Sequence, residues 1–257
     1  MDNYEYCARF ASFLASDGPG PRTLDFGCGA GEIVSRLRQA GIEAFGTDVF
    51  YEGGDYSRHI PEGLRPFILR SEDGLIPFPD ESFDLVITNQ VFEHVEKLEQ
   101  PLSEIHRVLR PGGRLLCLFP DRGVWREGHC GIPFLHWFPK RSRIRIRYAM
   151  VLRFLGLGYH KGNKSIRAWS EDFCNWLDQW TFYRPRREIR AAYASWFSDC
   201  IDLEPHWLLA RSGRLAPIVG VLPGALQRLV TRKLAGLVFV CTRGERERMG
   251  RPVSEGG

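Results

Sequence analysis

Thr23-Leu-Asp-Phe-Gly-Cys-Gly-Ala-Gly-Glu32 is the stretch on which the fold of this 257-residue chain turns. Four residues of strand character, Thr23 to Phe26, empty into a corner with glycine at Gly27, Gly29 and Gly31. A helical spacing of Ile33, Val34 and Leu37 follows. Glycine permits positive φ and lets a ligand lie against bare backbone, and the free amides at the following helix start favour anionic groups. The next strand, Glu43 to Gly46, runs into Thr47-Asp48, where a carboxylate can accept hydrogen bonds from a ribose diol. The spacing also discriminates between nucleotides. A dinucleotide fingerprint requires G-x-G-x-x-G, and counting from Gly27 the sixth position is Glu32.

G-x-G-x-G with Asp25 two residues earlier resembles the first motif of class I S-adenosylmethionine-dependent methyltransferases of the small-molecule, methyltransferase-domain-11-like type. Three further segments resemble that family in its order. Ile76-Pro-Phe-Pro-Asp-Glu-Ser-Phe-Asp-Leu-Val86 is similar to the loop and fourth strand, and Asn89-Gln-Val-Phe-Glu-His-Val95 to the segment beyond it. Ile105-His-Arg-Val-Leu-Arg-Pro-Gly-Gly-Arg-Leu-Leu116 is similar to the helix, turn and fifth strand. The resemblance covers residues 23–119. It implies an α/β fold with a Rossmann-like, doubly wound, seven-stranded sheet, S-adenosyl-L-methionine as cofactor, and transfer of a methyl group to a small molecule.

The composition is that of a soluble globular protein, with 44% apolar and 26% charged residues. The N-terminus, Met1-Asp-Asn-Tyr-Glu-Tyr, does not read as a secretory signal. The best apolar run, Leu234 to Cys241, would reach only ~12 Å as a helix, so a cytoplasmic location is expected, at most peripheral to a membrane. The seven cysteines stand singly with no C-x-x-C pair, and free thiols are expected rather than a disulfide framework. Cys28 and Cys117 read as small buried hydrophobes. His129, Cys130 and His136 do not form a standard zinc spacing, and no metal is expected. Charge is divided unevenly: residues 1–120 hold 11 Lys+Arg against 19 Asp+Glu, and residues 121–257 hold 24 against 12.

The first half alternates strand and helix, which implies a parallel sheet covered on both faces. A helix is expected over 3–16, strands at 22–27, 43–48, 66–70, 83–89 and 113–119, and helices near 30–40 and 97–109. One domain is expected over 1–243: a core (20–120), an α-rich insertion covering the substrate between the fifth and sixth strands (about 121–196), and C-terminal strands and helices (197–243). Within the insertion, helical signals run from Tyr148 to Leu157 and from Glu171 to Trp180. Residues 197–210 supply the sixth strand, Arg214 to Leu234 one or two helices broken at Pro217 and Pro223, and Gly236 to Thr242 the seventh strand. The tail, 244–257, reads as disordered.

Resemblance assigns the cofactor roles. Asp25 and the Gly27-Cys28-Gly29-Ala30-Gly31 backbone hold the methionine portion, with Asp25 facing its ammonium. Asp48 takes the ribose hydroxyls, Asp73 (with Glu72 as rival) sits near the adenine amine, and Asn89 faces the methionine portion. Methyl transfer from a sulfonium is an in-line displacement, and a base is required only when the acceptor atom carries a proton at neutral pH. A hydroxyl oxygen of a sugar, glycolipid or specialised metabolite is the expected acceptor. Arg126-Glu-Gly-His-Cys-Gly-Ile-Pro-Phe-Leu-His-Trp-Phe138 follows the fifth strand and makes His129 the preferred base, the alternative being that His129 and Trp137 merely fold the insertion. His94 is either a base or a packed turn residue, Glu93 reads as exposed or capping, and Asp121 lies close in sequence. Lys140 to Arg147 alternates cations with Ile; as a strand it would align its arginines on one face, and an anionic membrane surface or a lipid-linked substrate would match it. Leu215 to Gly224 reads as core packing rather than membrane contact. No nucleic-acid partner is expected. Two other functions remain open: a non-catalytic cofactor-binding subunit and a Rossmann oxidoreductase.

Overall fold

A computed structural model of the chain describes residues 1–15 and 20–244. The tail expected to be disordered therefore lies, from residue 245 onward, outside the described residues. The order is α1 (Asn3–Leu14), β1 (Thr23–Phe26), α2 (Glu32–Gln39), β2 (Ala44–Asp48), β3 (Ile68–Arg70), β4 (Phe83–Asn89), α3 (Glu99–Val108) and β5 (Leu109–Phe119). It continues through α4 (Arg143–Phe154), α5 (Ile166–Trp180), α6 (Arg186–Ala194), β6 (Ser198–Asp202), α7 (Glu204–Arg211), α8 (Ala216–Gly220), α9 (Gly224–Leu234) and β7 (Leu237–Thr242).

The described residues form a seven-stranded sheet in the order β3-β2-β1-β4-β5-β7-β6. The pairs from β3 to β5 are parallel, and β7 is antiparallel to both neighbours. Strand order reverses between β1 and β4, and an open sheet of this kind binds ligands in the crevice at the carboxyl ends of those strands. Helices cover both faces. Leu102 and Ile105 of α3 pack with Ile189 and Tyr193 of α6 on one side. Tyr6 and Cys7 of α1, Ile33 and Leu37 of α2, and Trp207 of α7 pack on the other. The spacing of Ile33, Val34 and Leu37 puts all three into the core, each contributing about 1.5–3 kcal/mol by burial.

The insertion has a small core of its own, built from Cys130, Ile132, Leu135, Ala149, Trp169, Cys174 and Leu177. The Lys140–Arg147 run does not form a strand. It enters α4, where Arg145 and Ala149, four residues apart, turn inward together. Arg145 is buried and paired with Asp178 of α5, and Lys140 donates to the carbonyls of Asp178 and Thr181, so the basic run is partly spent on internal ties.

Three other expectations are corrected. The sixth strand is only Ser198–Asp202, because Pro205 starts α7 within the same stretch. Leu215 to Gly224 does not join the core: the prolines divide it into α8 and α9, and Leu215, Ile218 and Val221 stand 60%, 64% and 81% exposed. Cys200 and Cys241 form a disulfide between the neighbouring antiparallel strands β6 and β7, while five cysteines are free and buried. That pairing follows from strand adjacency, which single, scattered cysteines do not reveal. No helix among the described residues is long and apolar enough to cross a membrane.

Candidate active site

A cavity of about 530 Å³ opens at the carboxyl ends of β1, β2 and β4. A larger depression, about 710 Å³, lies at the opposite end of the sheet around Arg22, Glu43 and Arg110. The first holds the glycine corner and is the site to consider.

Asp25, Gly27, Cys28, Gly29, Asp48 and Asn89 all line this cavity. The corner requires its glycines. At Gly27 (φ 76°) a β-carbon would stand 2.4 Å from the Val91 side chain, and at Gly31 (φ 84°) 2.4 Å from Ile68. The Cys28 thiol faces the interior: a β-carbon on Gly46 would meet its Sγ at 2.7 Å. Asp48 closes β2 and ties the corner together, its Oδ2 accepting from the Gly29 amide at 2.8 Å and its Oδ1 from Phe50 at 2.8 Å. Asn89 is braced by Asn3 of α1 at 3.2 Å. Asp25 is buried, and burial first, then the nearby Asp48 carboxylate, pushes its carboxyl up to about 8. Two desolvated carboxyls side by side favour a cationic group between them and the cavity.

Asp73 and Glu72 do not reach this cavity. Both are exposed on a turn closed by the Glu72–Leu75 pair, and the Asp73 carbonyl accepts from Gln100. Ser71, bonded to Thr47 at 2.7 Å, lines the wall instead. Asp121 is buried beside β5, capping the Gly123 amide, and is absent from the cavity lining.

The opposite wall is assembled from three segments. Phe92–His94 forms a short turn after β4. It is fastened to the segment after α5 because Phe182 donates to the Glu93 carbonyl and Arg184 to that of Val95, both at 2.7 Å. His94 Nδ1 donates to the Trp180 carbonyl at 2.7 Å, and its Nε2 lies 3.2 Å from Nε2 of His129. Behind His129, the Glu127 carboxylate accepts from His129 Nδ1, from the Tyr183 hydroxyl and from the Cys130 amide, each at 2.7 Å. Burial would raise the Glu127 carboxyl, but these donors, His129 foremost, hold it at about 2. Burial would likewise lower His129, and contact with Glu127 more than offsets it, leaving the imidazole raised. His94, without such a partner, is brought by burial to about 4.

Glu93 is neither exposed nor capping. It is 1% exposed, neither carboxylate oxygen has a partner among the described residues, and burial pushes it to about 8. Trp176 and Trp180 of α5 and Tyr51 complete the wall, with the Trp176 ring 4.9 Å from that of His129. Neither these aromatics nor Glu127 and Tyr183 stand out in the sequence by motif or spacing. Only Glu127, two residues before His129, carried a local signal.

A seven-stranded α/β sheet with a glycine corner and a carboxylate closing the second strand has the build of a nucleotide-binding α/β domain. Residues 24–117 match the methyltransferase domain family. The chain is similar to a demethylmenaquinone methyltransferase of Thermus thermophilus, 32% identical over 160 residues that make up 60% of this chain and 66% of the relative. It is also similar to a ubiquinone/menaquinone biosynthesis C-methyltransferase of Brucella anthropi, 35% identical over 119 residues, 43% of this chain and 45% of the relative. Among solved structures, phosphoethanolamine N-methyltransferase 2 of Haemonchus contortus in complex with S-adenosyl-L-methionine superposes with a TM-score of 0.52 at 14% identity, over 94% of this chain and 53% of that one. This last likeness shows the fold. The chain spans between about half and two thirds of the length of these two curated relatives. Residues 24–117 thus carry a methyltransferase domain of the class I, S-adenosylmethionine-dependent family. S-adenosylmethionine is that family's cofactor, and the residues present fit it: bare glycine backbone, an acidic pair for an ammonium, and Asp48 at the end of β2.

Proposed function

We propose that the chain transfers the methyl group of S-adenosylmethionine to a hydroxyl oxygen of a small molecule, with His129 as the base and the insertion (121–196) as the substrate cover of a single domain spanning 1–243. The observation that carries this reading is the Glu127–His129–His94 array on the cavity wall facing the glycine corner. When bound, the cofactor supplies a methyl carbon on a positively charged sulfur, so little covalent work is left to the protein. Asp25 and the corner backbone hold the amino-acid portion, Asp48 the ribose and Asn89 the edge between them. Asp73 leaves this set, and Ser71 takes its place on the wall. Trp176, Trp180 and Tyr51 exclude water and align the acceptor. His129, oriented by Glu127, accepts the hydroxyl proton at Nε2.

A carbon acceptor is the second reading, favoured by the named activity of the Brucella relative. A lipid-linked acceptor draws support from α4 and the residue after it, where Ile144, Val151, Phe154 and Leu155 are exposed alongside Arg143 and Arg147. Co-sedimentation with anionic vesicles tests it.

Calorimetric titration with S-adenosylmethionine, S-adenosylhomocysteine and NAD tests the cofactor assignment. Micromolar affinity for the first two and none for NAD is expected. Binding of NAD alone would restore the oxidoreductase reading. Binding without turnover over a broad acceptor screen would favour a non-catalytic subunit. Carbon-13 NMR of the product from labelled methyl donor then separates oxygen from carbon acceptors.

A further inference from the structure

His94 and His129 face each other with their Nδ1 protons turned away. The Trp180 carbonyl can only accept, so His94 carries its proton on Nδ1. The Glu127 carboxylate places a proton on Nδ1 of His129 in the same way. Each neutral ring keeps its lone pair on Nε2, and the two Nε2 atoms stand 3.2 Å apart. Lone pairs at that distance repel unless a positive charge joins them. The charge is either a proton or a metal ion. Glu93 separates the two cases. Its buried carboxylate has no partner among the described residues, and one of its oxygens and one nitrogen of each imidazole all lie within 4.8 Å of one another. A shared proton would leave Glu93 orphaned, whereas a cation satisfies all three groups.

We infer that Glu93, His94 and His129 form a binding site for a divalent first-row transition-metal ion. The expectation of no metal rested on the local spacing of His129, Cys130 and His136, whereas these three ligands come from two separate loops. An ion about 2.1 Å from each Nε2 subtends roughly 100° between them, close to tetrahedral or octahedral geometry. A small rotation of Glu93, of about an ångström, completes the set. Metal-bound histidines characteristically donate their other N–H to a carboxylate or a backbone carbonyl, and Glu127 and Trp180 provide one of each. Two imidazoles and one carboxylate suit zinc, iron(II), manganese or cobalt(II) better than calcium. His94 and His129, though not Glu93, line the cavity, so an ion between the two rings would be reached from it. On the methyl-transfer reading, which gives the ion its role though not its existence, its open coordination positions would receive the acceptor oxygen. By lowering the pKa of that hydroxyl so that its proton passes to solvent, the ion would take over the task otherwise given to the His129 Nε2 lone pair.

The test uses full-length protein stripped with a chelator and titrated with cobalt(II), followed by visible absorption, and with zinc by calorimetry. One ion per chain is expected, with cobalt bands of low-coordinate character. Glu93→Gln and His94→Ala should each weaken binding at least tenfold. Glu127→Gln, which removes no ligand but disturbs the support of His129 along with the bonds to Tyr183 and Cys130, should weaken it by about 10–100-fold. His160→Ala, an exposed histidine elsewhere, should leave it unchanged, and circular dichroism verifies that each variant is folded. Absence of saturable binding, or binding indifferent to Glu93→Gln and His94→Ala, overturns the inference. S-adenosylmethionine titration of the stripped wild-type protein keeps the two readings apart: retained cofactor binding without metal binding removes only the metal site.

Discussion

The glycine corner and the histidine wall border one cavity but are built differently. The corner, Asp25 to Asp48, comes from two neighbouring parallel strands whose register sets Asp25 opposite Gly46, and its shape is held by the Gly29–Asp48 bond within 24 residues of chain. The wall brings together Glu93 and His94 after β4, Glu127 and His129 after β5, and Trp176 and Trp180 on α5. Its integrity depends on links such as His94 to Trp180, 86 residues apart. On the proposed reading the corner is the cofactor cradle, and the wall is where the chemistry and the acceptor are chosen.

If that division holds, His129→Ala should lower turnover by about 10²–10⁴-fold while S-adenosylmethionine affinity stays within about threefold by calorimetry; an equal loss of both would break the division. Asp48→Ala should do the reverse. Loss of hydrogen bonds to a charged group costs about 1.5–3 kcal/mol, or about 10–100-fold in cofactor affinity, with turnover of the saturated enzyme little changed.

The pH dependence sharpens the comparison further. Asp25 is raised to about 8 in the free protein and must ionise to face an ammonium, so cofactor binding releases a proton. Affinity should rise about tenfold per pH unit on approach to pH 8 and level off above it, checked by calorimetry in buffers of differing ionisation enthalpy. The same raised carboxyl stabilises the free fold most below its unfolded value of 3.8, and its contribution falls as pH climbs through about 8. The smallest expected effect is that of Asp73→Ala, within about twofold in cofactor affinity; a larger loss would extend the corner to the Glu72–Leu75 turn.

What could be read from the chain follows the same line. Ile33, Val34 and Leu37 announce α2 because helical periodicity is local, and Gly27 and Gly31 announce the corner because positive φ is a property of single residues. Asp73 could not be placed from sequence, because the turn closed by the Glu72–Leu75 pair decides whether its side chain meets the cavity. Glu93 misled because its burial depends on α5 and the segment after it. The basic run was ambiguous as isolated sequence. Pairing of Arg145 with Asp178, 33 residues away, accompanies its helical form.

By itself the sequence determined the sheet, the glycine corner and the likeness to class I methyltransferases, since strand alternation, glycine spacing and apolar periodicity act over a few residues at a time. Only the tertiary structure decided that Glu127 backs His129, that His94 and His129 meet through Nε2, that Glu93 lies unpaired beneath them, and that Cys200 joins Cys241. These are contacts between distant segments, and their geometry is set by how the insertion and the last strands pack on the sheet.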